Sequence, residues 1–211
     1  MRNTCSLGLC LLALVAIADY AFAQSTNATT DDGRAVTLFD DGTWKYKEKS
    51  EKPTAKGEHF RPADSTAFVE SKKGFVKLWY NPNKWKVKAT RSNASSEFEF
   101  EHEKGDAYAI VIIERMSMTS DALRGVVVTN WQSADKNAKV VLEEQRSVNG
   151  IRVLVLQAEV TASGIPFKFY GYYWSDKPGT FQIALYTSEN LFDEFVDDFT
   201  DFLDGVETTK K

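Results

Sequence analysis

The stretch from residue 138 to residue 189 constrains the fold most strongly, because turn residues divide it into successive segments with strand composition. Asn149-Gly150 supplies the positive φ angles that a tight hairpin turn requires, and Ser163-Gly164 and Pro178-Gly179 mark later breaks. Three consecutive strands, at 140–148, 151–162 and 167–174, are followed by a further strand at 181–186. We predict an antiparallel meander on which the rest of the chain packs.

Two helices are predicted beside this meander. The first begins at Thr119 or Ser120, whose hydroxyl can cap it, and its apolar residues recur at spacings of three and four. The second begins at Thr187 or Ser188 and ends before Gly205, a residue type that suits the position after a helix. The inward face of the first helix is predicted to comprise Leu123, Val126, Val127, Asn130 and Trp131, and that of the second Leu191, Phe195, Phe199, Phe202, Leu203 and Val206.

Four earlier strands complete the predicted main domain, which spans residues 63–207. They lie at 75–80, 85–88, 98–101 and 108–113, and the last of them is so apolar that we expect it to be covered on both faces. The expected fold class is α+β: an antiparallel β-sheet with helices packed on its faces, an α/β/α sandwich, preceded by a small β-hairpin.

Residues 1–23 have the form of a secretory signal peptide. Arg2 supplies the positive charge, residues 7–17 are apolar but too few for a ~20-residue membrane span, and Ala21-Phe22-Ala23 has the small-x-small pattern of a cleavage site. We therefore expect cleavage near Ala23-Gln24 and a periplasmic or secreted mature chain without a transmembrane segment. A lipoprotein modified at Cys10 is the alternative, disfavoured because Leu9 stands where a small residue is needed. Cys5 and Cys10 are the only cysteines, so the mature chain would contain none.

Residues 24–46 predict a separate β-hairpin. Two alternating runs flank Asp41-Gly42, which favours a type I′ turn, and Trp44 and Tyr46 share one face of the return strand. This DGTW pattern resembles a short motif near the mature N-terminus of various bacterial exported proteins, and the resemblance implies no activity. An isolated hairpin is marginally stable, so we expect it to dock on the main domain or on a partner. Residues 47–62 are charged and poor in apolar side chains, which predicts a linker.

The order of elements from about residue 60 to residue 206 resembles the PsbP-like family, named for an extrinsic subunit of the oxygen-evolving photosystem. A strand ends in Tyr80-Asn81-Pro82 and resumes at Trp85-Lys86-Val87, and a long meander and a phenylalanine-rich C-terminal helix follow. The resemblance implies a central antiparallel sheet between helices and a role in binding or assembly instead of catalysis. It transfers no functional residue to this chain.

Reactive chemistry is not indicated by the sequence. The two histidines, His59 and His102, accompany no nucleophile motif, zinc motif or phosphate-binding loop, and we interpret them as surface residues. The acidic face of the last helix is interpreted as a solvated surface, because ligands on one helix face do not converge on a cation. With a net charge of −4 and no long basic block, a nucleic-acid groove is not expected. No catalytic residue, metal site or cofactor is therefore predicted. The acidic residues concerned are Asp193, Glu194, Asp197, Asp198, Asp201 and Asp204.

An aromatic surface is the candidate binding site. Phe167, Phe169 and Tyr173 alternate with the aromatic residues of the other face of the same strand. If the first set faces the C-terminal helix, the second needs another cover: the Trp131 helix, the hairpin or a ligand. Tyrosine and tryptophan favour interfaces because they combine an apolar ring with a polar tip. The candidate surface comprises Tyr170, Tyr172, Trp174, Trp79 and Trp85.

The sequence thus predicts an exported, non-catalytic binding or assembly module of the periplasm or cell envelope, with a protein or envelope component as its partner. Two alternatives remain at this stage. One is a small-ligand or metal-binding protein, and the other is a hydrolase whose site has no recognised motif. A deep pocket with converging polar groups would favour the hydrolase.

Overall fold

The computed structural model describes residues 25–29, 35–39, 42–46 and 54–209, which fall into two compact units on either side of residue 50. The predicted signal peptide and its cleavage site lie outside these residues. The first unit is an antiparallel sheet in the order β1-β2-β3, formed by Ser25–Thr29, Ala35–Phe39 and Trp44–Tyr46. Leu38 pairs with Trp44, which confirms the predicted hairpin, and β1 adds a strand that the polar composition of 25–29 had not indicated.

The second unit contains eleven strands and two α-helices among its described residues. The strands are β4 (Thr54–His59), β5 (Ala67–Glu70), β6 (Val76–Tyr80), β7 (Trp85–Val87), β8 (Phe98–His102), β9 (Ala107–Glu114), β10 (Lys139–Val148), β11 (Ile151–Ala162), β12 (Ile165–Asp176), β13 (Gly179–Ser188) and β14 (Val206–Thr208). The helices are α1 (Ser120–Ala134) and α2 (Phe192–Leu203), and a 3₁₀ turn, Glu189–Leu191, precedes α2.

The predicted meander forms the middle of an eight-stranded sheet with the order β4-β10-β11-β12-β13-β9-β8-β7. Asn149 and Gly150 turn the chain between β10 and β11 with φ angles of 46° and 79°, the geometry that the Asn-Gly pair predicts. A second sheet has the order β14-β6-β5. Within the described residues no helix has the length and apolarity needed to cross a bilayer.

The two faces of the large sheet are covered by different helices. On one face α2 buries Phe192, Phe195, Phe199, Phe202 and Leu203, as the predicted apolar stripe requires, and it also contacts β6. On the other face α1, capped by the Thr119 hydroxyl, packs through its own apolar stripe against β11 and β12. The buried residues of α1 are Leu123, Val127 and Trp131, whereas Val126 and Asn130, which were also predicted on the inward face, are exposed. The α/β/α arrangement is therefore confirmed.

The two faces of β12 are covered by the opposite helices from those supposed in the sequence analysis. Phe169 and Tyr173 lie beside Trp131 of α1, with ring centroids 6.0 Å and 6.2 Å apart. Tyr170 lies instead beside Phe192 of α2, at 6.4 Å. Alternation along a strand defines two faces, but it does not indicate which helix covers each face.

Two further predictions need correction. The segment 47–62 is not a linker throughout, because β4 pairs in parallel with β10 at Thr54, Glu58 and His59. Its low apolar content did not prevent pairing, since backbone hydrogen bonds and the Glu58 carboxylate, which accepts from the Gly150 amide at 2.6 Å, hold it. Strand β9 is also covered less fully than predicted: buried positions alternate with half-buried ones along it.

Gly205 is required for close approach and not for a left-handed conformation. Its φ is outside the positive range, and a Cβ at this position would lie 2.0 Å from the carbonyl oxygen of Trp79. The Trp79 amide donates to the Gly205 carbonyl at 2.9 Å. The end of α2 is thereby joined to β6, where the candidate site begins.

Candidate functional site

Three of the five aromatic residues predicted to form a binding surface are in the core. Tyr170, Tyr172 and Trp85 are 3%, 0% and 2% exposed, so the prediction of an exposed surface is wrong for them. The reason is the cover that α2 supplies: Phe202 lies 4.8 Å from Trp85 between ring centroids. Only Trp79 and Trp174 remain half-buried, and the structure places them in separate surroundings.

Trp174 is packed between neighbouring rings at the end of β12. It stacks on Phe181 with centroids 5.4 Å apart and lies 6.4 Å from Phe75. It also lines an open cavity of about 290 Å³, whose other walls are Gly150, Ile151, Arg152, Ser175, Asp176 and Thr208. This volume is at the lower limit of what small-molecule sites use.

Trp79 belongs to the outer face of the small sheet, which forms an aromatic and cationic surface. Phe68 of β5 pairs with Trp79 of β6, and their ring centroids are 4.8 Å apart. The Arg61 guanidinium lies 4.2 Å above the Trp79 ring, and the Lys77 amine lies 4.5 Å from the Phe68 ring. Together with Glu207, which binds both Trp79 and Arg61, these residues are called the β5–β6 surface below.

Hydrogen bonds fix the orientation of Trp79. Its indole Nε1 donates to a Glu207 carboxylate oxygen at 3.0 Å, and Arg61 donates to the other oxygen at 3.1 Å. Tryptophan and arginine held in this way lose little side-chain entropy on binding, because their rotamers are already selected. The surface is therefore preorganised on regular structure.

The period-two pattern of the two strands explains why this face is outward. Val76 and Leu78 of β6 enter the core, and Lys77 and Trp79 point the other way. In β5 the exposed positions alternate likewise, which leaves Phe68 46% exposed. Sequence reasoning missed β5, because four residues are too few for a clear alternation, and with it Phe68.

A second group of polar residues surrounds Asp204, immediately after α2. The Tyr172 hydroxyl donates to Asp204 at 2.8 Å, and the His59 Nδ1 lies 3.0 Å from its other oxygen. Arg146 donates to the hydroxyls of Tyr172 and Tyr170, both at 2.8 Å, and pairs with Glu144. Burial and the Asp204 charge raise the pKa of Tyr172, so this phenol remains protonated. Asp204 is consequently not on a solvated face, and His59 is half-buried instead of on the surface.

His102 is likewise buried, contrary to its prediction as a surface residue. Its Nε2 lies 3.1 Å from Asp198, which also pairs with Lys84 at 2.7 Å. Burial lowers the pKa of His102, and the Asp198 carboxylate opposes this shift. The ring also contacts Trp85 and Phe195 edge-on, so it serves as part of the core.

Glu99 is a buried carboxylate enclosed by the loop that precedes β8. The backbone amides of Ser92 and Asn93 donate to it at 2.7–3.0 Å, as do the hydroxyls of Ser92 and Ser96. Burial alone would raise its pKa, but these hydrogen bonds outweigh burial and lower the pKa to about 2. Glu99 therefore holds the loop in place as an anion.

These polar groups stabilise the fold, since their hydrogen-bonding capacity is used by neighbouring protein groups. Among the described residues no three His, Cys, Asp or Glu side chains are placed to hold a metal ion. The buried side-chain polar atom without a hydrogen-bond partner in the described part of the chain is the Tyr173 hydroxyl. What the β5–β6 surface offers chemically is non-covalent contact through aromatic faces and charged groups.

Comparisons with known proteins agree with this fold. A family model described as "Protein of unknown function (DUF3157)" matches residues 3–170. The solution structure of cyanobacterial PsbP (CyanoP) from Synechocystis sp. PCC 6803 is 15% identical, with a TM-score of 0.52 over 70% of this chain and 95% of that one. The predicted PsbP-like fold is thus confirmed.

Two weaker structural similarities were also found. A crystal structure of a Bacteroides thetaiotaomicron protein has a TM-score of 0.46 at 10% identity and covers 70% of this chain and 50% of that one. LpqN, described as involved in cell envelope biogenesis of Mycobacterium tuberculosis, has a TM-score of 0.35 at 13% identity and covers 93% and 98%. No curated protein sequence matches the chain significantly.

Proposed function

The chain belongs to the family described as a protein of unknown function (DUF3157), and from that premise we propose that it is an exported, non-catalytic module. It binds a protein or envelope component through the β5–β6 surface. Export is supported by the form of residues 1–23, which has the charge, apolar run and small-residue site of a signal peptide. The expected location is the periplasm or the cell exterior.

The exposure of Phe68 beside Trp79 and two cations is the observation on which the proposal rests. Scattered apolar side chains are normal on protein surfaces, so exposure of a single residue would indicate nothing. Phe68, which is 46% exposed, instead adjoins the Trp79 ring, and the Lys77 amine and the Arg61 guanidinium lie over these two rings. Aromatic and arginine side chains in such groupings dominate binding energy at protein interfaces.

A non-catalytic role is supported by the state of the polar residues. His59, His102 and Asp204, the groups most suited to acid–base chemistry, each have partners that belong to the fold. Two cavities among the described residues have volumes of about 290 and 210 Å³ and are open to the surface. Neither contains a nucleophile beside an oriented base, which catalysis of acyl or phosphoryl transfer would need.

Site-specific photocrosslinking in cells of the native host tests the proposal. A photoreactive phenylalanine analogue replaces Phe68, and the expected result is a crosslinked band that contains one envelope component. The matched control places the same analogue at Val126 of α1, which has a similar exposure of 40%. A band at both positions, or at neither, contradicts the proposal.

Small-ligand binding is a second candidate, favoured by the cavity beside Trp174. The indole ring forms an apolar wall, and Asp176 and Thr208 line the same space. Thermal unfolding in the presence of a panel of sugars and amino acids would detect it, because a ligand that binds only the folded state raises the apparent stability. Replacing Asp176 with Asn serves as the site control.

A further inference from the structure

We propose that strand β5 binds an extended segment of the partner protein, which adds to the small sheet as a further strand. This inference rests on the proposed function and specifies its binding mode. The order of the small sheet is β14-β6-β5, so β5 has a neighbour on one side only within the described residues. The other side of β5 is an edge where backbone groups remain for pairing.

The register of β5 and β6 shows which backbone groups these are. The Ser71 amide donates to the Val76 carbonyl at 2.9 Å, which continues the pairing of Val69 with Leu78 and of Ala67 with Tyr80. Hydrogen-bonded and non-hydrogen-bonded pairs alternate along antiparallel strands. The pairs Phe68–Trp79 and Glu70–Lys77 are therefore the non-hydrogen-bonded ones.

The amides and carbonyls of Phe68 and Glu70 consequently point away from β6. Two donors and two acceptors, repeating at every second residue, match the spacing of another β-strand. A sugar has no row of backbone amides and carbonyls, and a helix uses its own backbone groups internally. The chemistry of the edge thus indicates an extended polypeptide.

Two other edge strands of the second unit are protected in ways that β5 is not. The Val206 carbonyl of β14 accepts a hydrogen bond from the Asn149 side chain at 2.8 Å. Strand β7 has three residues with the charged Lys86 at its centre. Charges, short length and covering segments are the usual means by which an edge avoids pairing. In β5 the corresponding central side chain is the exposed Phe68.

Side chains around the edge indicate the partner's sequence. An added strand places one of its side chains beside Phe68, on the face that Trp79 shares, and this position favours an apolar or aromatic residue. Beyond the end of β5 lie Lys72 and Lys73, and the Glu97 carboxylate, which contacts both residues, offsets only one of these charges. A carboxylate of the partner near Lys72 completes the charge balance.

The test begins with a library of linear twelve-residue peptides displayed on phage and selected on the full mature chain. Selected peptides are then measured by fluorescence anisotropy against the wild type, Glu70→Pro and Glu70→Ala. Proline removes the outward amide of residue 70 without breaking a bond to β6, so it should weaken binding about tenfold, the effect of one lost hydrogen bond of about 1.4 kcal/mol. Glu70→Ala keeps that amide and should change the affinity less than about threefold.

Amide hydrogen exchange supplies an independent readout of the pairing. In the free chain the Phe68 and Glu70 amides should exchange rapidly and the Val69 and Ser71 amides slowly, because only the latter donate to β6. Peptide addition should protect the amides of Phe68 and Glu70. If Glu70→Pro does not fold, peptides N-methylated at alternate residues replace it: one alternate set should abolish binding and the other should not.

The failure of this inference is distinguishable from failure of the proposed function. Peptides that lose binding in Phe68→Ala but leave both amides unprotected overturn strand addition and leave the binding surface intact. Selection of no peptide, or loss with both N-methylated sets, also overturns it. Dimerisation in sedimentation velocity that Glu70→Pro abolishes would overturn it too, since a second copy would then occupy the edge. Absence of a Phe68 crosslink in cells speaks against the proposed function alone.

Discussion

The α2 layer and the β5–β6 surface use the same residue types with opposite results. Both are rich in aromatic rings, whose centroids lie 4.8–6 Å apart. Both also involve β6, because α2 packs on one face of this strand and the β5–β6 surface lies on the other. Phe199 is fully buried by this arrangement, and Phe68 is almost half exposed. Aromatic clustering therefore does not distinguish a core from a binding surface. What distinguishes them is whether a helix of the same chain covers the cluster.

The largest expected effect comes from truncating the two phenylalanines in turn. Phe199→Ala should lower the free energy of unfolding by about 3–5 kcal/mol, because it leaves a cavity among Trp85, Phe192 and Phe195. Phe68→Ala should change it by less than about 1 kcal/mol, because its ring already contacts water. Urea denaturation followed by circular dichroism measures both. Equal losses would show that the β5–β6 surface is as buried as the core.

The buried Glu99 and the exposed Glu70 allow the same comparison for carboxylates. The lowered pKa of Glu99 corresponds to about 3 kcal/mol of stability. The pKa of Glu99 is lowered from 4.5 to about 2 in the folded chain, so its ionised form stabilises the fold fully above pH 4.5. That contribution should be lost progressively as the pH falls from 4.5 to 2. The free energy of unfolding measured across this range should fall less steeply in Glu99→Gln than in the wild type. Glu70→Gln, at an exposed position of β5, is the control for the substitution itself.

Substitution of Gly205 tests how closely the end of α2 is joined to β6, and substitution of Gly125 in α1 is the control. Gly205→Ala should destabilise by about 1–3 kcal/mol, because the new Cβ would lie 2.0 Å from the Trp79 carbonyl oxygen and the backbone must shift. Gly125→Ala in α1 meets no atom within 4 Å and should stabilise by about 0.5–1 kcal/mol. Thermal unfolding gives both values. A stable Gly205→Ala variant would mean that α2 and β6 are joined less closely than described.

Removing the hydroxyl from each of two adjacent tyrosines should change the free energy of unfolding by about 1 kcal/mol, with opposite signs. Tyr173→Phe removes a buried hydroxyl that has no partner in the described residues and should stabilise the chain. Tyr172→Phe removes the donor to Asp204 and should destabilise it. Chemical denaturation of both variants under the same conditions provides the comparison. Effects of the same sign would contradict the hydrogen-bond assignment.

The sequence was sufficient for most of the architecture, because local rules determine it. Asn149-Gly150 favours a tight turn, the phenylalanine spacing of α2 predicts a buried stripe, and the Thr119 hydroxyl caps the start of α1. Each depends on neighbours within a few residues. The hairpin of the first unit was predictable for the same reason.

The candidate site was less predictable, because burial depends on contacts between distant segments. Tyrosine is common at interfaces, but the Asp204 carboxylate that accepts from Tyr172 lies 32 residues later in the chain. The burial of His102 could not be predicted locally, because it is covered by Trp85 of β7 and by Phe195 and Asp198 of α2. Strand β4 was mistaken for linker because its pairing uses backbone groups, which composition does not report. Trp79 alone was both predicted and found on the surface proposed for binding.

The hydrogen bonds of Tyr172 also bear on how the chain reaches its folded state. A slip of β12 by one residue that puts Tyr172 in the place of Tyr173 would put Gly171 in the place of Tyr172. In that alignment Arg146 and Asp204 would lose the hydroxyl that each contacts. Leaving such groups unpaired costs about 1–3 kcal/mol each, which disfavours the slipped state during folding. A polar contact that adds little to the final stability thus acts against misfolding.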